Sequence, residues 1–312
     1  MSVDLAKAVG HQSPDKPVAW NKRDLLLYAA GIGAKRDDYP FVYELDKKFA
    51  PFPTYPVVLG LKGEDQDVNS FATRGNIEGT PGLPKFDLNR VVHGSQTIEI
   101  LKPLPVVSGA GWKLKQRICG VHENKSGIIV DSEVTLVDGS GTSYARLYGS
   151  AFHIGSKATG KKFDKVLAGP PQAKPVPKDR KPDWVVTDQT TPEQALVYRL
   201  SGDYNPLHID PRIGLAAGFG GVILHGLSTY GFGARALLSA VGGNDPHALK
   251  FYGCRFTSPV KPGDALETSA WEVGPGPEGT VEVVFVTKNL TSGKVALGGG
   301  IAYIRKVEKS KL

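Results

Sequence analysis

The sequence predicts an α+β protein built from two related halves, and three observations predict it. Two pairs of β-branched, aromatic-rich runs recur, each pair joined by a turn: Gly127–Val137 with Ser143–Ile154, and Val281–Lys288 with Val295–Ile304. The strands gather in runs and do not alternate one by one with helices, which argues against a βαβ arrangement. Between the halves lies Ser156–Asp183, a stretch with five prolines and eight basic residues that reads as an extended linker. The expected division is therefore 1–155, a linker at 156–183, and 184–312.

Taken in order, the elements of the two halves correspond. Leu25–Gly31 (LLLYAAG) resembles Ala195–Gly202 (ALVYRLSG), with Tyr28 and Tyr198 lying 170 residues apart. Ile98–Pro105 (IEILKPLP) resembles Phe256–Pro262 (FTSPVKP), with Pro103 and Pro259 lying 156 apart, so the first half carries 14 extra residues between these points. Each half is expected to be a short helix, a longer apolar helix and a run of antiparallel strands. The longer helix is clearest at Leu224–Val241, with apolar residues at 224, 227, 234, 237, 238 and 241. Glycines at 226, 231 and 233 weaken it by about 1 kcal/mol each, so it needs support on most sides. A curved antiparallel sheet wrapped around it supplies that support. Gly231–Ala236 also fits a permissive dinucleotide pattern, but inside a helix glycine serves close packing.

Composition bounds the function. Hydrophobic residues make up 40% and charged residues 22% of 312, as in ordinary globular proteins. Lys plus Arg is 38 against 31 acidic residues, a net +7, which suits an anionic partner. Nucleic acid is not expected, because zinc-finger spacing, a basic heptad region and an aromatic RNA-binding signature are all missing. A phosphate-bearing small molecule fits. No apolar run is long enough to predict a membrane span, and the first sixteen residues lack the apolar core of a secretory signal. Cys119 and Cys254 match no metal or redox spacing and read as free thiols. No metal ligand set and no cofactor are expected. The chain ends in Ser310-Lys311-Leu312, the tripeptide read by the peroxisomal import receptor, so peroxisomal location is expected.

The chemistry concentrates in Tyr198–Asp210, YRLSGDYNPLHID. A carboxylate (Asp203), an amide (Asn205) and an imidazole (His208) lie within six residues. Pro206 prevents a helix through this stretch, so their convergence depends on loop shape. Asp210-Pro211 then reads as an N-cap with proline at the first helical position. A capping turn, with Asp203 and Asn205 bonding nearby backbone, is the competing reading. The following Gly218–Gly226 (GFGGVILHG) leads into the long helix, and a glycine at a helix start presents free N–H groups to a developing oxyanion.

SGDYNPLHID followed by ILHGL resembles the signature of the R-specific 2-enoyl-CoA hydratases, the hydratase 2 or MaoC-like family. The pattern of HG at 93–94, KPLP at 102–105, YRLSGD-x-NPLHIDP and ILHGL-x-T-x-GF is similar to the eukaryotic form, found as a unit of peroxisomal multifunctional enzyme type 2 and as free-standing proteins. The likeness runs from about Trp20 to Tyr303 and skips the linker. It implies a double hot-dog fold, each half a central helix wrapped by a curved antiparallel sheet. It implies that Asp203 and His208 are the acid–base pair, that Asn205 holds the water, and that the Gly226 N–H lies in the oxyanion hole. His93 and Gly94 match an acyl-CoA-contacting pair, Phe256 a substrate-contacting aromatic, and Lys125 a lysine that contacts CoA. Tyr204, Pro206 and Leu207 fall in the substrate-binding loop. Glu44 matches a glutamate implicated in some members and is read as structural.

The function so implied is hydration of trans-2-enoyl-CoA to (3R)-3-hydroxyacyl-CoA in peroxisomal β-oxidation. The first half, which lacks the acid–base motif, is expected to accommodate the acyl tail. A second reading is another hot-dog thioester enzyme, a thioesterase or a carrier-linked dehydratase. A third is a non-catalytic acyl-CoA binding protein, against which an intact Asp203/Asn205/His208 set argues. Two repeats already supply the pairing that single hot-dog subunits obtain by dimerising, which leaves a further homodimer open.

Overall fold

The computed structural model describes residues 3–68, 71, 79–87, 90–156 and 163–307. Among the described residues, eleven strands form one antiparallel sheet: β1 (Lys16–Pro17), β2 (Val91–Ile100), β3 (Lys113–Asn124), β4 (Gly127–Val137), β5 (Ser143–Ile154), β6 (Asp164–Val166), β7 (Trp184–Gln189), β8 (Leu249–Phe256), β9 (Ala265–Pro275), β10 (Val281–Asn289) and β11 (Val295–Ile304). Their order is β1-β3-β4-β5-β2-β8-β11-β10-β9-β7, with β6 added beside β3. The order reads the same from both ends: β1-β3-β4-β5-β2 in the first half mirrors β7-β9-β10-β11-β8 in the second. The halves join edge to edge where β2 pairs β8, from Ser95 opposite Arg255 to Glu99 opposite Phe251. An internal repeat read from weak sequence matches thus becomes a pairing of equivalent strands.

The helices are α1 (Leu5–Ala8), α2 (Lys22–Gly31), α3 (Tyr39–Val42), α4 (Leu59–Lys62), α5 (Gln194–Tyr198), α6 (Pro211–Ala216) and α7 (Gly226–Ala240). In α7 every residue from Leu227 to Leu238 is buried, including Arg235. Its glycines are sites of close approach: a Cβ on Gly231 would lie 2.1 Å from the Ile32 side chain, and one on Gly233 would lie 2.5 Å from the Tyr252 hydroxyl. The dinucleotide-like glycines are therefore packing glycines.

The central segment of the first half is shorter. A 3₁₀ turn, Tyr55–Val58, runs into the single turn of α4 and stops at Gly63, whose φ is +66°. Pro53, Pro56 and Gly60 make a long helix costly here. Aromatic side chains occupy the first-half core: Trp20 lies 4.7 Å from Trp112, Phe41 lies 4.9 Å from Phe52, and Tyr28 lies 5.5 Å from Tyr55, each pair edge to face. These rings join one core that also holds Tyr198, Tyr230 and Tyr252 of the second half.

Residues 163–183 cross from one edge of the sheet to the other. They contribute β6, whose Asp164–Val166 pair with Gly120–His122, inside the stretch read as linker. Ser310-Lys311-Leu312 lies outside the described residues.

Candidate active site

The loop 203–208 is held in place by packing before it. Gly202 adopts a left-handed conformation, φ +116°, and a Cβ there would meet the Lys62 backbone at 2.7 Å. The loop of the second half therefore starts out pressed against α4 of the first. Asn205 caps the following 3₁₀ turn, accepting from Leu207 N at 3.0 Å, and the Asp203 carboxylate accepts from Asn205 N at 3.3 Å. These are the bonds of the capping-turn reading, and they coexist with a half-buried Asp203 carboxylate. Asp210 caps α6 through Arg212 N with Pro211 at the first position, as the sequence predicts.

His208 is buried, and its Nδ1 lies 2.8 Å from the Ile223 carbonyl. A carbonyl only accepts, so Nδ1 carries the proton and Nε2 carries the basic lone pair. Burial lowers the His208 pKa, opposed by the Ile223 bond and by the nearby Asp203 charge. The ring is therefore neutral at pH 7 and can accept a proton.

His225, which the sequence motif does not mark as a site residue, completes the cluster. Its Nε2 donates to the Asp203 carbonyl at 3.1 Å, and its ring stacks on His208 at 3.7 Å and 27°. Burial, with His208 second, drives its pKa down to about 2. Tyr198 packs beside it at 5.0 Å, fully buried, and its hydroxyl is without a hydrogen-bond partner among the described residues. Asp203, His208 and His225 each bring a potential ligand atom within 4.8 Å of one another. In each ring one nitrogen is held by a backbone carbonyl, which leaves the His208 Nε2 and His225 Nδ1 lone pairs.

The opposite wall comes from the strands. A register shift between His93 and Ser95 forms a bulge at Gly94. Ala151 faces His93 and Leu147 faces Ile98, so the bulge turns His93 onto the inner face that bears Ile98. Without the bulge, the odd spacing of 93 and 98 would place them on opposite faces. His93 lies 4.8 Å from the Phe256 ring, and a Cβ on Gly226 would meet that ring at 3.3 Å. One side of His93 faces open space, yet the surrounding protein still presses its pKa down to about 4, against bonds from Ser95 and Gln96 and the Asp203 charge. Gly226 is the first residue of α7, so its N–H has no partner inside the helix.

The structure thus gathers Asp203, His208, Gly226, His93 and Phe256. Around them, Asn205 and Leu207 are half-buried, Pro206 is exposed, and Tyr204 lies under the Arg199 guanidinium at 5.0 Å. Lys125 sits in the exposed β3–β4 turn, and β3 is three places from β2 in the sheet. Glu44 lies exposed in a turn after α3.

This geometry stands beside clear relatives. Residues 19–155 match the MFE-2 hydratase 2 N-terminal domain and residues 174–294 match the MaoC like domain. The chain belongs to the MaoC-like hydratase 2 family. It is 33% identical to "Probable enoyl-CoA hydratase 2" of Dictyostelium discoideum, covering 100% of both chains. It is 34% identical to "Peroxisomal multifunctional enzyme type 2" of Mus musculus over 97% of this chain and 38% of that longer protein. A MaoC-like dehydratase from Phytophthora capsici superposes with TM-score 0.87 at 34% identity, over 99% of this chain and 100% of that one. The mirrored strand order and wrapped α7 of this MaoC-like chain are the double hot-dog arrangement that the resemblance implied.

Proposed function

We propose that the chain hydrates trans-2-enoyl-CoA to (3R)-3-hydroxyacyl-CoA. The observation that carries this reading is the convergence of Asp203 and the His208 imidazole on the start of α7, with His93 and Phe256 facing them. Water attacks C3, and as the C3–O bond forms one O–H bond of the water breaks and its proton passes to the Asp203/His208 pair. The electron pair of the double bond moves toward the thioester oxygen, and the Gly226 N–H steadies that enolate-like oxygen. The proton is then delivered to C2. General acid–base groups of this kind contribute about 10²–10⁴-fold, and an oxyanion donor a few kcal/mol. Asn205, whose oxygen is engaged in the cap, keeps its amide N–H groups to hold the water.

Relatives named enoyl-CoA hydratase 2 and multifunctional enzyme type 2 support this reading. The net charge of +7 suits the CoA phosphates, and the family resemblance assigns Lys125 and the His93-Gly94 pair as acyl-CoA contacts. Peroxisomal location and engagement of the import receptor are supported by Ser310-Lys311-Leu312 and by the peroxisomal name of the mouse relative. The first half is assigned the acyl tail.

Asp203→Ala and His208→Ala should each lower kcat for a trans-2-enoyl-CoA by about 10²–10⁴-fold with unchanged circular dichroism. Near-full turnover in either variant would remove the pair from the mechanism.

A further inference from the structure

We propose that His225 is a positioning residue of the acid–base site, fixing the Asp203 main chain through Nε2–H and holding the His208 ring by stacking. The inference rests on the hydratase reading and deepens it, since the motif accounts only for the backbone N–H of the neighbouring Gly226.

The geometry is reciprocal. The loop 203–208 reaches across with a side chain, His208 Nδ1 to the Ile223 carbonyl, at 2.8 Å. The segment 223–225 reaches back with a side chain, His225 Nε2 to the Asp203 carbonyl, at 3.1 Å. The segment is itself pinned, because buried Leu224 donates its N–H to the Val260 carbonyl at 2.7 Å. Two backbones are thus cross-linked at both ends of the loop that carries the chemistry. Gly226, the next residue after His225, opens α7, so the same link sets the distance from the acid–base pair to the helix N–H.

Stacking adds a second constraint. At 3.7 Å and 27° the His225 ring covers one face of His208 and limits its rotation about χ2. At 1% exposure His225 is closed to water. The groups facing it are Asp203 and His208 from the loop, Tyr198 from α5 and the Arg199 charge beyond it. Burial keeps the ring uncharged, so a proton arriving on His208 meets no second imidazolium. At the N-cap of α7 a side chain commonly bonds the first turn of its own helix; His225 makes no such bond and is committed to Asp203.

The test uses the full-length enzyme with trans-2-enoyl-CoA and three variants. His225→Ala removes donor and ring, His225→Gln keeps a donor in the place of Nε2–H, and His225→Phe keeps a ring. The expected result is a loss of about 10²-fold in kcat for Ala, with KM within about threefold, because a small misplacement of reacting groups costs turnover before binding. Gln and Phe should each recover about tenfold over Ala. By ¹⁵N NMR, His208 should be a single Nδ1–H tautomer in the wild type and a mixture in His225→Ala. A folded Ala variant with wild-type kcat, or Gln and Phe variants no better than Ala, would overturn the proposal. Should Ala fail to fold, the Gln and Phe variants carry the same comparison against wild type. A wild-type enzyme inert toward enoyl-CoA would refute the hydratase reading, and an unchanged His208 tautomer in His225→Ala would then refute the positioning role on its own.

Discussion

His208 and His225 share a stack but answer pH differently. His208 must be neutral to take a proton, and its pKa lies below the ordinary 6.5. The acid limb of kcat/KM should therefore bend below pH 6.5, with the rate falling as pH drops through it. A bend near or above pH 7 would mean that another group controls the step. His225 acts on stability. Its folded pKa, about 2, is far below the ordinary value, so the folded state resists a proton that the unfolded chain accepts. Its contribution is complete above pH 6.5 and is lost as pH falls, by about 1.4 kcal/mol per unit for this group. Urea midpoints measured between pH 7 and 5 should fall, and should fall less steeply in His225→Gln. At this scale the sequence made Asp203, Asn205 and His208 legible, because they stand within one stretch around a proline. It did not make His225 legible, because its role comes from contact with a loop 22 residues away. Nor did it reveal why His93 points inward, since that depends on where the β2–β5 register slips.

Among the elements, α7 shows how sequence cost becomes packing. Its glycines disfavour a free helix, yet they admit Ile32 and Tyr252 to the helix surface. Gly231→Val should destabilise the protein by about 1–3 kcal/mol, read from urea unfolding, because the branched side chain has nowhere to go. A neutral result would mean that the Ile32 loop moves freely. The strands β4, β5, β10 and β11 were legible because β-branched runs and turn residues bound them closely. β1 and β6, of two and three residues, were not, because β3 supplies their hydrogen bonds and no local pattern does. The short central segment of the first half was hidden for a related reason. Its prolines and glycines signal a break, but the aromatic packing around it is a tertiary property.

Across the whole molecule, the halves depend on each other through the β2–β8 pair and through buried charge. Asp188 on β7 binds Arg235 of α7 and, at 3.2 Å, Lys35 of the first half, while Arg235 Nε donates to the Ile32 carbonyl. Asp188→Asn leaves a buried guanidinium without its carboxylate and should cost about 3–5 kcal/mol in urea unfolding. A loss under about 0.5 kcal/mol would show that water replaces the partner. Only the second half of the two-fold repeat carries the proposed acid–base set. The positions 170 before Asp203, Asn205 and His208 are Gly33, Lys35 and Asp38, which cannot repeat the chemistry. On the proposed reading the second half supplies the acid–base loop and the first half supplies a wall. The most direct test of this account is turnover of trans-2-enoyl-CoA followed by chiral analysis of the product. The account predicts loss of the enoyl absorbance with formation of (3R)-3-hydroxyacyl-CoA and no free CoA thiol. A (3S) product, or release of CoASH from the thioester, would contradict it.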